Sequence, residues 1–123
     1  MTTSLGKPGA AGIKRILNAA GYSIKGLTSA FKTEAAIRQE LALCVIFIPI
    51  AFVLDISKVE TILMVASLVL VFLFELINSA IEAVVDRVGT EHHELSGKAK
   101  DIGSAAVMVS LGLALFTWLY ILI

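Results

Sequence analysis

The chain has one cysteine, Cys44. That excludes an internal disulfide and a cysteine-rich metal cluster. Because Cys44 lies within an apolar run, it reads as a small buried hydrophobe. No G-x-x-x-x-G-K-[ST] loop is present: Gly97–Lys98 is followed by Ala99, and Gly89 is too far upstream to complete the pattern. The glycine fingerprint of dinucleotide-binding folds is missing as well, and His92–His93 lacks the H-E-x-x-H spacing of a zinc site, so the pair reads as part of a surface loop. The first 40 residues contain no apolar h-region, and no cleavable signal peptide is expected. Internal repeats and low-complexity tracts are lacking. The net charge of zero points neither toward nucleic acid nor away from it.

What the chain does have is apolar surface. Hydrophobic residues make up 58% of 123 residues, and the mean hydropathy is +0.91, against roughly 45–50% apolar in soluble domains. A single water-soluble core of this size could not hide that excess, so it must face lipid. The 41–54 run, LALCVIFIPIAFVL, gives only ~21 Å of helix, where ~20 residues are needed to cross. Extension back to Ala35 closes the gap and brings in Arg38, Gln39 and Glu40. Pro49 is tolerable in such a helix. A polar turn at 55–60 leads to a second span at 61–85, whose only charges are Glu75 and Glu82. A polar loop, 86–101, precedes the third span, 102–123, which carries no charge. Trp118 and Tyr120 near its end fit an interfacial aromatic belt.

Upstream, residues 1–12 read as a frayed terminus. From Ile13 the apolar residues Ile13, Leu17, Ala20, Ile24, Leu27 and Phe31 form one helical stripe, with Lys14, Arg15, Lys25 and Lys32 mostly off it. This predicts a basic amphipathic helix over 13–33 lying on the membrane surface, the alternative being a helix packed on the protein's own bundle. Gly21 and Gly26 are candidate break points. The three-span membrane domain is then 34–123, with spans at about 35–54, 61–85 and 102–123. Nine of the ten Lys and Arg lie before the apolar run that opens at Leu41 or in the 86–101 loop. The positive-inside rule puts both segments in the cytoplasm.

The second span carries Glu75, Asn78, Ser79, Glu82 and Asp86. At about 100° per residue these fall within roughly 100° of arc, so they form a single stripe on an otherwise apolar helix. An ionised carboxylate at bilayer depth costs several kcal/mol. The stripe must therefore face other helices, water or a cation. Glu82 and Asp86 lie near the cytoplasmic end, where water reaches. Glu75, about 16 Å from Asp86 along the axis, is the deepest charge and is suited to general-base work. The competing explanation is helix association through polar contacts. Glu34 and Arg38, one turn apart, and Lys100, Asp101 and Ser104 stand at the same membrane edge. Hard carboxylate oxygens beside a lysine suggest Mg²⁺ and phosphate.

The run ELINSAIEAVVDRVGTEHHELSGKAKDIGSAAV at 75–107 resembles the signature of the bacterial membrane-integral diacylglycerol kinases. AAGYSIKGL at 19–27 and EAAIRQE at 34–40 are similar to the same family. The resemblance implies an all-α membrane protein: a homotrimer of three-span subunits with shared active sites, in the bacterial inner membrane. It implies transfer of the γ-phosphate of ATP, with Mg²⁺, to the hydroxyl of diacylglycerol, giving phosphatidic acid, and no nucleic-acid partner. Undecaprenol is the alternative acceptor. It makes Glu75 the general base and gives the metal to Glu34 and Glu82. Arg15, Tyr22, Asp86, Glu91, His93, Lys100 and Asp101 join those two on the nucleotide side. Ala20, Ser23, Gln39, Glu40, Asn78 and Ser104 join Glu75 on the lipid side. Thr33, where relatives often carry Asn, and Asn18, in place of a basic residue, depart from the family pattern. Two rival classes use the same stripe differently: a proton-coupled transporter with Glu75 as its carboxylate, and a noncatalytic adaptor that uses the stripe only for assembly.

Overall fold

The computed structural model describes residues 8–89 and 93–123. Four helices account for nearly all of them: α1 (Pro8–Thr33), α2 (Ala35–Val53), α3 (Lys58–Val88) and α4 (Glu94–Leu122). The chain divides into two units, Met1–Thr33 and Glu34–Ile123.

In the first unit α1 runs unbroken through Gly21 and Gly26. The hydroxyls of Ser23, Thr28 and Thr33 donate to the carbonyls of Ala19, Ile24 and Ser29, at 2.9, 2.8 and 2.9 Å. These side chains turn back on their own helix. The helix starts at Pro8, where a ring that fixes φ and lacks an N–H costs nothing in the first turn. The expected frayed segment of 1–12 is thus helical from residue 8 onward, and residues 1–7 lie outside the described part.

In the second unit α2, α3 and α4 are each long and apolar enough to cross a membrane. α2 holds Pro49 without ending. α3 starts from a capping box: Glu60 N–H donates to Ser57 Oγ at 3.1 Å and Ser57 N–H to Glu60 Oε1 at 3.0 Å. This satisfies two of the orphan donors of the helix start. α3 packs against both α2 and α4. The buried residues follow one spacing: Ile37, Glu40, Cys44 and Ala51 on α2, Met64, Ser67 and Val71 on α3, and Gly103, Val107, Ser110 and Ala114 on α4. Steps of three and four with a mean near 3.5 give the seam of near-aligned helices. Cys44 is buried at 8% exposure, as a small hydrophobe would be.

Outside the seams the apolar side chains are bare, Val45, Phe52, Met108 and Leu115 among them. In water such a surface would aggregate. In lipid it is the solvated state.

One sequence expectation is corrected here. The polar 86–101 segment is mostly helix: α3 runs on to Val88 and α4 begins at Glu94. Its described charged residues, Asp86, Arg87, Glu94, Lys98, Lys100 and Asp101, sit on helical turns projecting beyond the apolar spans, where Lys and Glu are good helix formers. Trp118 also makes interhelical contacts. It lies on the α4 seam four residues after Ala114, donates its indole N–H to the Met64 carbonyl at 3.1 Å, and meets Phe47 edge-on with centroids 5.6 Å apart. One side chain of α4 thereby ties α3 and α2 together. Tyr120, in contrast, is exposed and lies 5.5 Å from the ring of Phe116.

Trp118→Phe retains a ring beside Phe47 and removes only the donor. The expected loss is about 1 kcal/mol, the scale of interhelical hydrogen bonds in membranes. It should appear as an earlier helix-loss midpoint when the protein in mixed micelles is titrated with SDS and followed by circular dichroism.

Candidate active site

Along α3 the seam continues past Val71. Glu75, Asn78 and Glu82 follow Met64 by 11, 14 and 18 residues, which returns each to within about 40° of the same face. The polar stripe is therefore the far half of the packing face of α3. Glu75, Asn78, Ser79 and Glu82 are all half-buried, while Asp86 is exposed.

The start of α4 meets this stripe closely. Asn78 Nδ2 donates to Glu82 Oε1 at 3.2 Å, one turn on. The Asn78 Oδ1 atom is buried and has no hydrogen-bond partner. It lies against Gly103 so closely that a methyl group there would overlap it. One turn before Gly103, Lys100 Nζ forms an ion pair with Asp86 Oδ1 at 2.8 Å, and it also lies within electrostatic reach of Glu82. Asp101 and Ser104 are exposed on either side of Gly103.

The start of α2 brings two more carboxylates. Glu34 is the N-cap position of α2, with extended backbone, and its side chain makes no capping bond. Its carboxylate is within electrostatic reach of Glu75, as is that of Glu82. Glu40 is 6% exposed, lies on the α2 seam with Ile37 and Cys44, and interacts with Glu75 across the interface. Gln39, next to it, is exposed. Four carboxylates, Glu34, Glu40, Glu75 and Glu82, thus converge at one end of the three-helix unit, with Lys100 beside them.

The remaining expected site residues are on α1, in the 90–92 stretch or at the start of α4. Arg15, Ala20, Tyr22 and Ser23 are on α1, in the first unit. Glu91 lies outside the described residues. His93 stands at the N-cap of α4, where its Nδ1 accepts the Leu95 N–H at 3.0 Å. Two features escaped the sequence reading. Glu40 is more deeply enclosed than Glu75, and its three-residue and four-residue steps from Ile37 and to Cys44 would have signalled this. Gly103 is the other; a glycine inside a helix, opposite an asparagine on a neighbouring one, was its only signal.

Among the described residues no three His, Cys, Asp or Glu side chains form a ready metal cage. That donor set still suits Mg²⁺, which is usually held by one or two carboxylates with phosphate oxygens and water completing its octahedron. Glu34 and Glu82, each within electrostatic reach of Glu75, are the carboxylates that could supply it.

The model of the prokaryotic diacylglycerol kinase family matches residues 21–122. A diacylglycerol kinase of Pseudomonas aeruginosa is 54% identical over 115 residues, covering 94% of each chain. The diacylglycerol kinase of Escherichia coli is 50% identical over 111 residues, covering 90% of this chain and 91% of its own. That of Haemophilus influenzae is 51% identical over 107 residues, covering 87% and 91%. With the polar stripe, the lysine and the carboxylates all falling inside the matched region, the chain belongs to the prokaryotic diacylglycerol kinase family, a family of membrane enzymes.

Proposed function

We propose that this protein transfers the γ-phosphate of ATP to the hydroxyl of diacylglycerol, forming phosphatidic acid at the cytoplasmic face of the bacterial inner membrane. The observation that carries this reading is the coincidence of the polar stripe of α3 with its packing face. The stripe turns Glu75, Asn78 and Glu82 away from lipid, toward Glu34, Glu40 and Lys100.

The position of each group suits its role. From Glu60 to Glu75 is ~22 Å of helix, and from Glu60 to Glu82 ~33 Å, against a hydrocarbon core of ~30 Å. With Glu60 at one boundary, Glu82 stands at the other and Glu75 ~10 Å below it, inside the core. A lipid hydroxyl, held just below the headgroups by its acyl chains, comes to the level of Glu75. A nucleotide in water comes to the level of Glu82, Asp86 and Lys100.

In the transfer, a hydroxyl oxygen of the lipid forms a bond to the γ-phosphorus, the bond to the β–γ bridging oxygen breaks, and ADP leaves. Glu75 accepts the hydroxyl proton. Asn78 orients Glu82 and meets the incoming group. Lys100 neutralises charge on the transferred phosphate, a role it can take up by exchanging Asp86 for phosphate. Asp101 holds Lys100 or the nucleotide. Glu34 and Glu82 would hold Mg²⁺, which would offset charge on the phosphate oxygens. Phosphoryl transfer asks for alignment and charge neutralisation more than for covalent help, and these residues supply both without a phosphate-binding glycine loop. On this reading Arg15, Tyr22, Glu91 and His93 complete the nucleotide side, and Ala20, Ser23, Gln39, Glu40 and Ser104 the lipid side. α1 lies on the membrane surface as a basic amphipathic helix, and three subunits assemble so that each site is closed by a neighbour.

A transporter would need the polar path to continue. Farther along the seam the buried polar side chains are Ser67 and Ser110, and each hydroxyl donates to its own helix, at the Met64 and Val107 carbonyls.

Glu75→Gln should lower turnover with MgATP and diacylglycerol by more than 100-fold, the scale of general acid–base catalysis, while the oligomer in detergent is retained. Unchanged turnover would remove Glu75 as the base. Running the same assay with undecaprenol tests the alternative acceptor.

Chelation of Mg²⁺ should abolish transfer, and Glu82→Gln should raise the Mg²⁺ concentration for half-maximal rate several-fold, with little change in the KM for lipid. A matching rise in lipid KM at unchanged Mg²⁺ requirement would place Glu82 with the lipid instead.

A further inference from the structure

We propose that Gly103 is a positioning residue: its missing side chain lets the Asn78 amide lodge against α4, and that lodging holds Glu82 in a single orientation beside Lys100. The inference rests on the kinase reading above for its consequence, though not for the contact itself.

Glycine is disfavoured against alanine inside a helix, so a buried helical glycine calls for a local reason. A side chain at Gly97 or Gly112, on the same helix, would meet nothing within 4 Å. At Gly103 a Cβ would overlap Asn78 Oδ1, stand 3.2 Å from Asn78 Cγ and lie 3.7 Å from Ile81 Cδ1. The overlap falls on the one side chain that cannot easily step aside. Asn78 Nδ2 is committed to Glu82 Oε1 at 3.2 Å. Pointing the nitrogen at the carboxylate forces the amide oxygen toward Gly103, where it is buried without a partner. A buried unpaired acceptor is costly, and the arrangement persists because the reverse orientation would set two oxygens against each other at Glu82.

A methyl group at 103 therefore has two ways out. Asn78 turns away and releases Glu82, or α4 backs off α3 and carries Lys100 with it. Either way the carboxylate assigned to the metal and the lysine assigned to the phosphate lose their fixed relation. Gly103 touches neither substrate. It acts through Asn78.

Two measurements test this, and they fail separately. The first is a stability cycle in mixed micelles, with unfolding by SDS followed by circular dichroism. Gly103→Ala should lower the midpoint in the wild-type background. It should leave the midpoint unchanged or raise it in an Asn78→Ala background, where the amide is gone and alanine is the better helix former. An equal loss in both backgrounds overturns the contact. Should Gly103→Ala alone fail to fold, recovery of folding in the Asn78→Ala/Gly103→Ala double variant supports the proposal, and failure of the double variant overturns it.

The second measurement is kinetic. Gly103→Ala should reduce kcat on the order of 10–100-fold, as small misplacements of reacting groups do. It should raise the half-saturating Mg²⁺ concentration and leave the KM for diacylglycerol unchanged. Unchanged kcat and Mg²⁺ requirement, or a change confined to lipid KM, overturns the positioning role. If the wild-type protein transfers no phosphate from MgATP, the kinase reading falls, and the stability cycle still decides the contact.

Discussion

Glu75, Asn78 and Glu82 occupy the continuation of the α3 face that, farther along, carries Met64, Ser67 and Val71. Hydrocarbon solvates neither a carboxylate nor an amide. A spanning helix that bears such groups can keep them only where another helix covers them. By placing all of them in register with its seam, α3 satisfies two demands with one periodicity: the apolar half packs the unit, and the polar half is sheltered by the same neighbours. The rest of the arrangement depends on that register. A shift of one residue would turn the stripe by about 100° and present the carboxylates to lipid.

Sheltering alone would leave the carboxylates to repel one another. Glu75 is within reach of Glu34, Glu40 and Glu82, and the cation beside them is Lys100, which is paired to Asp86. That ion pair has 42% and 67% of its two side chains exposed, and such pairs add little to stability. Its consequence is geometric. It links the end of α3 to the start of α4, beyond the point where Asn78 lies against Gly103. A lysine already held beside an acidic cluster needs only a small displacement to meet a phosphate, and an acidic cluster with excess negative charge is a ready partner for a divalent cation.

The stripe was legible in the sequence because helical periodicity is a property of the chain alone: the offsets from Glu75 define it without knowledge of a partner. The three spans were legible for the same reason, since length and apolarity are local. Facts that belong to pairs of helices were not. That Trp118 reaches the Met64 carbonyl, 54 residues away, depends on how α4 lies on α3. The deep burial of Glu40 follows its spacing from Ile37 and Cys44 on α2, but that this face turns inward depends on α3. Gly103 looked like any helical glycine until Asn78 was found beside it. The 86–101 segment differs for another reason: polarity alone does not distinguish a loop from a helix end, and here charged residues continue α3 and α4 into water.

That continuation into water matters to the proposed chemistry. α3 and α4, of 31 and 29 residues, are ~46 and ~44 Å long, well beyond a ~30 Å hydrocarbon core. Helical backbone therefore carries rigidly from the lipid region into the aqueous region. A lipid kinase has to bring a hydroxyl that will not leave the membrane to a nucleotide that will not go into it. A flexible loop at the surface could bind the nucleotide but could not hold it in line with a group anchored below. A helix that passes through both regions carries Glu75 at the lipid level and Glu82 two turns higher on one inflexible axis. A second such helix, fixed to the first by Gly103 and Asn78, brings Lys100 to the same height. On this view the catalytic problem is one of height along the membrane normal, and the protein solves it with the spacing of residues along helices that are needed in any case to cross.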